Sequence, residues 1–104
     1  MAEPFIVKID ETDLDVAYCD EFARALSQIA DQTDVIIDLS SATYIDSTCL
    51  SKLIAMRNGR SRGGFPAEKL VLPSANVRRV LTIVALDNMW PLFHSLQDAL
   101  ATNS

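Results

Sequence analysis

A chain of 104 residues, 49% hydrophobic and 22% charged, has the length and composition of one folded domain with a single core. Disorder and collagen are excluded, and no apolar run approaches the roughly 20 residues of a membrane span. The formal charge of −5 argues against bulk nucleic-acid binding, and two cysteines with one histidine suit neither a disulfide framework nor a zinc site. Residues 1–5 (MAEPF) lack the basic and apolar stretches of a signal peptide, so a cytoplasmic location is expected. The charge is lopsided: residues 1–51 hold 11 acids and 2 bases, and residues 52–104 hold 3 acids and 7 bases.

Phe5-Ile6-Val7-Lys8-Ile9 follows Pro4 and reads as a strand. Residues 10–15 are acidic, with Leu14 the only apolar member, and read as a solvated loop able to steer a basic partner. From Val16 the period changes. Cys19, Phe22, Ala23, Leu26, Ile29 and Ala30 recur at helical steps, with Asp15 as the expected N-cap. Val35-Ile36-Ile37-Asp38-Leu39 suits a strand covered on both faces. After a loop over residues 40–44, Asp46 is expected to cap a second helix with an apolar stripe of Cys49, Leu50, Leu53, Ile54 and Met56. That helix ends at Gly63-Gly64, or earlier at Asn58-Gly59.

Lys69-Leu70-Val71-Leu72 is a third strand, stopped by Pro73. Ser74 caps a third helix that buries Val77, Val80, Leu81 and Val84 and turns Arg78, Arg79 and Thr82 outward. Trp90-Pro91-Leu92-Phe93 reads as a short last strand, its proline favouring an edge position or a strand start. Ser95 and Asp98 open a last helix that carries Leu96, Ala99 and Leu100. The alternation predicts an α/β domain spanning residues 1–104, ordered over about 4–101. It has a mixed, mostly parallel sheet of about four strands and about four helices.

Tyr44-Ile45-Asp46-Ser47-Thr48 is the foremost candidate site, a strand end running into a helix at the edge where ligands and partners dock in open sheets. The serine hydroxyl stands in the first helical turn, where a phosphate meets free amides and the positive end of the dipole, although Asp46 is a like charge next door. On spacing alone the same residues also make an ordinary capping cluster. A nucleophilic triad from Ser47, His94 and an aspartate lacks any G-x-S-x-G setting. Cys19 is expected in the core and Cys49 partly exposed. Arg57, Arg60 and Arg62 read as cations that complement the helix C-terminus, or else as a contact for an acidic partner or a nucleotide.

The run from Asp34 to Leu50 resembles the signature of the STAS domain, the fold of bacterial anti-sigma factor antagonists: Asp46, Ser47, Thr48 and Leu50 match its Asp-Ser-(Ser/Thr)-Gly-Leu segment. Asp13-Leu14-Asp15, the segment Pro73 to Leu81 and the closing stretch from Trp90 to Leu100 are similar to the family as well. The resemblance implies a non-enzymatic regulatory binding module in which Ser47 accepts phosphate from an anti-sigma factor that is itself a serine kinase. The kinase supplies the ATP, so no cofactor and no metal belong to this chain. Implied partner-binding residues are Asp15, Asp46, Ser47, Thr48, Cys49, Leu50 and Ser51. Cys49 and Ser51 depart from the family's small positions, and Ala85 stands where many members have Gly. Cys49 is thus expected to reshape the docking face. These departures motivate an alternative, an interaction subunit of a lipid-transport or stress-sensing complex with no phosphorylation. A small hydrolase using Ser47 or Cys49 is the enzyme reading.

Overall fold

Val35–Asp38 is buried to its last residue, as a strand with neighbours on both edges and cover on both faces must be. Around it, a computed structural model describes residues 3–83 and 88–101. In chain order the elements are β1 (Phe5–Lys8), β2 (Asp13–Leu14), α1 (Cys19–Leu26) with a following 3₁₀ turn (Ser27–Ile29), β3 (Val35–Asp38) and β4 (Tyr44–Ile45). Then come α2 (Ser47–Arg62), β5 (Lys69–Val71), α3 (Ala75–Ile83), β6 (Leu92–Phe93) and α4 (Leu96–Ala101). The main sheet runs β1-β3-β5-β6, and β2 pairs with β4 in a ladder of its own.

All ladders among the described residues are parallel, which corrects the mixed sheet expected from sequence. A helix crosses between each strand and its later neighbour, and such a crossover returns the chain in the same direction. Alternate residues separate two cores. Val35, Ile37 and Leu39 join Phe22, Leu26, Leu50, Leu53, Val77 and Leu81 under three helices. Ile36 and Val71 face α4 through Ala99, with Leu96 and Phe93 packed against them. A single short helix covers that second face only in part, and Ile6, paired with Ile36 in the β1–β3 register, stays 41% exposed.

Several local expectations change. The first helix begins at Cys19 rather than Val16, and Asp15 is not its N-cap. The Asp15 carboxylate instead accepts from the Ala17 amide at 3.1 Å, and its carbonyl accepts from the Tyr18 amide. The chain finishes its β2 pairing at Leu14 and must turn before it can coil, which leaves Val16 outside. Ala30 is exposed past the end of the 3₁₀ turn. Residues 10–15 are no free loop, since Asp13 and Leu14 pair with Tyr44 and Ile45.

The second helix runs through Gly59 to Arg62 and ends in a Schellman arrangement. The Phe65 amide donates to the Arg60 carbonyl and the Gly64 amide to that of Ser61, with Gly64 at φ +83°. Arg78 is half-buried, not outward, because its Nε donates to the Leu72 carbonyl. Leu100 is exposed, so the last helix buries only Ala99 fully. Val84 and Ala85 lie outside the described residues.

Candidate functional site

Ser47 is the first residue of α2 and is exposed. Asp46 caps the helix as expected from its carboxylate: it is extended at φ −99°, and its Oδ1 accepts from the Thr48 amide at 2.9 Å and the Cys49 amide at 3.1 Å. The cap therefore takes two of the free amides of the first turn, and the Ser47 hydroxyl stands beside a carboxylate that is already engaged. Thr48 is half-buried, and the Ser51 hydroxyl donates to the Ser47 carbonyl at 2.8 Å along the outer face of the helix.

Cys49 and Leu50 turn inward. They are 0% and 6% exposed, so neither presents a side chain to a docking protein. The expectation of a partly exposed Cys49 reshaping that face is corrected: helical geometry points it at the β2–α1 turn, where Sγ donates to the Asp15 carbonyl at 3.4 Å. Burial, and then the charges of Asp46, Cys19 and Asp15, push this thiol up to about 11. It is protonated at neutral pH, which disfavours a nucleophilic role. Cys19 is buried on α1, and no hydrogen bond joins exposed His94 to Ser47 among the described residues.

The two-residue β2–β4 ladder assembles the rest of the site. The Asp46 amide donates to the Leu14 carbonyl at 3.0 Å, the Thr43 amide to the Thr12 carbonyl at 2.8 Å, and the Ser41 hydroxyl to Asp10 at 3.3 Å. These bonds stitch residues 10–15 along residues 41–46, which puts Asp15 by the head of α2 and Asp10, Glu11 and Asp13 on the adjoining surface. Tyr18, in the same region, has its phenol pushed upward by burial first, then by Glu21, Glu11, Cys49 and Asp10. Buried Asp38 at the end of β3 fixes the approach to this loop, since its Oδ1 accepts from both the amide and the hydroxyl of Ser40.

Two apolar side chains of this rim are exposed, Tyr44 from the candidate segment itself and Val16 from outside it. Val16 is 67% exposed and Tyr44 51% exposed, each beside an acid on its own segment. Periodicity assigned Val16 to a helix and Tyr44 to a loop. The period-two alternation of Tyr44 out and Ile45 in was the available signal. Exposed aromatic and apolar residues ringed by charge are the usual anchors of protein interfaces.

The basic cluster of α2 divides. Arg62 is exposed, whereas Arg57 and Arg60 are buried against Glu68, with Arg57 Nη1 at 2.8 Å and Arg60 Nε at 2.5 Å from the same carboxylate oxygen. The surface-cation reading is therefore corrected for those two. They continue the inward stripe of Leu50 and Leu53 and meet an acid from the start of β5 rather than the helix terminus.

The STAS domain family model matches residues 3–99. No curated protein matches the chain in sequence. Among solved structures, a Thermotoga maritima protein assigned to the anti-sigma factor antagonists is 22% identical, with a TM-score of 0.73 over 90% of this chain and 83% of that one. An anti-sigma factor antagonist from Mycobacterium paratuberculosis is 23% identical, with a TM-score of 0.71 over 91% and 80% of the two chains. A sulfate transporter family protein from Wolinella succinogenes is 21% identical, with a TM-score of 0.73 over 97% and 87%. At these identities the likeness establishes the fold.

Proposed function

The chain belongs to the STAS domain family, and from that premise we propose that it is a non-enzymatic protein-binding module of the anti-sigma factor antagonist type, switched by phosphorylation of Ser47. The observation that carries this reading is the exposed Ser47 hydroxyl at the first position of α2, inside a preassembled acidic rim. The partner is an anti-sigma factor with serine kinase activity. Transfer breaks the bond between the γ-phosphorus and the bridging oxygen of its ATP and forms one to Ser47 Oγ. ADP leaves, and the hydroxyl proton passes to the kinase.

The rim around Asp10, Glu11, Asp13 and Asp15 speeds encounter with a basic partner surface, and Val16 and Tyr44 give that surface something apolar to close on. Phosphate adds about −1.5 to −2 charges beside Asp46, whose carboxylate already holds the nearest free amides. Long-range attraction to a basic partner rises, but the close contact must now exclude water from a dianion. A loss of about 1.4 kcal/mol in that contact weakens binding tenfold. Incubation with the cognate kinase and ATP, read by mass spectrometry, tests the assignment. Phosphate on Ser47, absent from Ser47→Ala, supports it; phosphate on another residue overturns it.

A second reading, an interaction subunit that is never phosphorylated, draws on the fold shared with the Wolinella sulfate transporter family protein and on exposed Ser51, which departs from the family's small position on the outer face of α2. Recovery of a transport or scaffold complex by the unmodified protein, with no phosphate accepted from any co-purified kinase, decides for it.

A further inference from the structure

The β2–β4 ladder has two sides of opposite chemistry. Leu14 and Ile45 are paired and buried, whereas Asp13 and Tyr44 are paired and exposed. Neighbouring strands lie about 4.8 Å apart, and residues in register project to the same side. The exposed Tyr44 ring therefore has a carboxylate beside it. Two residues on, half-buried Asp46 returns to the outer side, with Asp15 by the head of α2.

None of these carboxylates has a cation of its own. The ion pairs among the described residues are those of Arg57 and Arg60 with Glu68, and residues 10–51 contain a single base, Arg24. Nor are the acids gathered into a metal site: among the described residues, no group of three or more ligating side chains is placed to hold an ion. Their spacing suits a cation that is itself extended and carried on another chain. Two of them are already fixed. Asp46 Oδ1 accepts from the Thr48 and Cys49 amides and Asp15 Oδ1 from the Ala17 amide, so little side-chain freedom is lost when a cation docks.

We propose that this face receives an arginine of the docking protein, its guanidinium stacked on the Tyr44 ring and its N–H groups turned to Asp13 and Asp46. The inference rests on the reading of this rim as a partner-docking surface and adds which cation the partner presents. A rim of carboxylates alone attracts lysine and arginine alike. An exposed ring among carboxylates does not. The guanidinium is planar and weakly hydrated, stacks on an aromatic face and forks toward carboxylate oxygens, whereas an ammonium holds its water. Tyr44 ends its run of the ladder just before Ser47 opens α2, so an arginine anchored there brings the partner against the start of that helix.

The probe is a short blocked peptide of alternating glycine and arginine, with its lysine counterpart as control. Each is titrated at low salt into isotopically labelled protein, without kinase or ATP, and followed by amide chemical shifts. Saturable shifts at Asp13, Tyr44 and Asp46, with the arginine peptide at least about threefold tighter than the lysine peptide, support the proposal. Tyr44→Val, a good strand former shown to be folded by its spectrum, is expected to bind the two peptides equally, and Tyr44→Phe to keep the preference. Equal binding of both peptides by the parent chain, no saturable shift at Tyr44 up to about 5 mM peptide, or a preference that survives in folded Tyr44→Val each overturns it. Phosphate on Ser47 without an arginine preference overturns this inference alone, and the preference without phosphate overturns only the switch.

Discussion

Trp90 donates its indole N–H to Glu68 at 2.9 Å, using the carboxylate oxygen that Arg57 and Arg60 leave free. One fully buried acid thus joins α2, the start of β5 and the approach to β6. Removing one member of a buried ion cluster leaves charges stranded, at a cost of about 3–5 kcal/mol. Glu68→Ala is expected to lose stability on that scale in chemical denaturation. Trp90 is the only tryptophan, so its folded-state fluorescence should shift as the indole loses its acceptor. Unchanged stability would show that the cluster contributes nothing net.

Asp46 holds two amides of α2, and its truncation frees both. Asp46→Ala should destabilise by about 1 kcal/mol, whereas Asp46→Asn should lose much less, because its side-chain oxygen still accepts. Thermal denaturation of the pair checks this. Equal losses would mean that charge rather than the cap bond is what matters.

Gly59 lies inside the exposed stretch of α2, where backbone freedom is lost and no side chain is gained. An added methyl meets nothing within 4 Å, so Gly59→Ala is expected to stabilise by about 0.5–1 kcal/mol in the same assay. A destabilised variant would reveal a close approach to this face of α2.

Cys49 supplies the pH dependence. Its thiol is raised from 9.0 to about 11 in the folded chain, so folding favours the protonated form. Above the unfolded value the unfolded state releases this proton first, and stability falls as pH rises from about 9 towards 11. Below that window the contribution is intact. Cys49→Ala should show a shallower loss of stability across the window than the parent chain. Parallel slopes would assign the alkaline loss to other groups.

The helices and main strands were legible because their signals are local. Asp46 caps where a carboxylate before a helix should, and the unbroken apolar run at β3 is the buried central strand. What eluded a linear reading depends on residues distant in sequence. Nothing near Arg57 and Arg60 announces Glu68, so two buried guanidiniums looked like surface cations. Asp13 and Leu14 become a strand only because Tyr44 and Ile45 lie alongside, and that pairing pushes the helix start from Val16 to Cys19. The place of Ser47 at the head of a helix was legible in its motif, and Tyr44 stood in the same segment, while the exposure of Val16 required coordinates.

Because every ladder among the described residues runs in one direction, none of these strands can zip onto the next through a tight hairpin. Ile36 and Ile37 must wait for Lys69 and Leu70 to emerge and swing back over an entire helix before their second edge is satisfied. During synthesis they form a bare, β-branched template, and loop closures of this length slow folding relative to helical bundles. Yield in a recombinant host should therefore respond to cooling and to chaperone supply well before any change in the stability of the finished molecule.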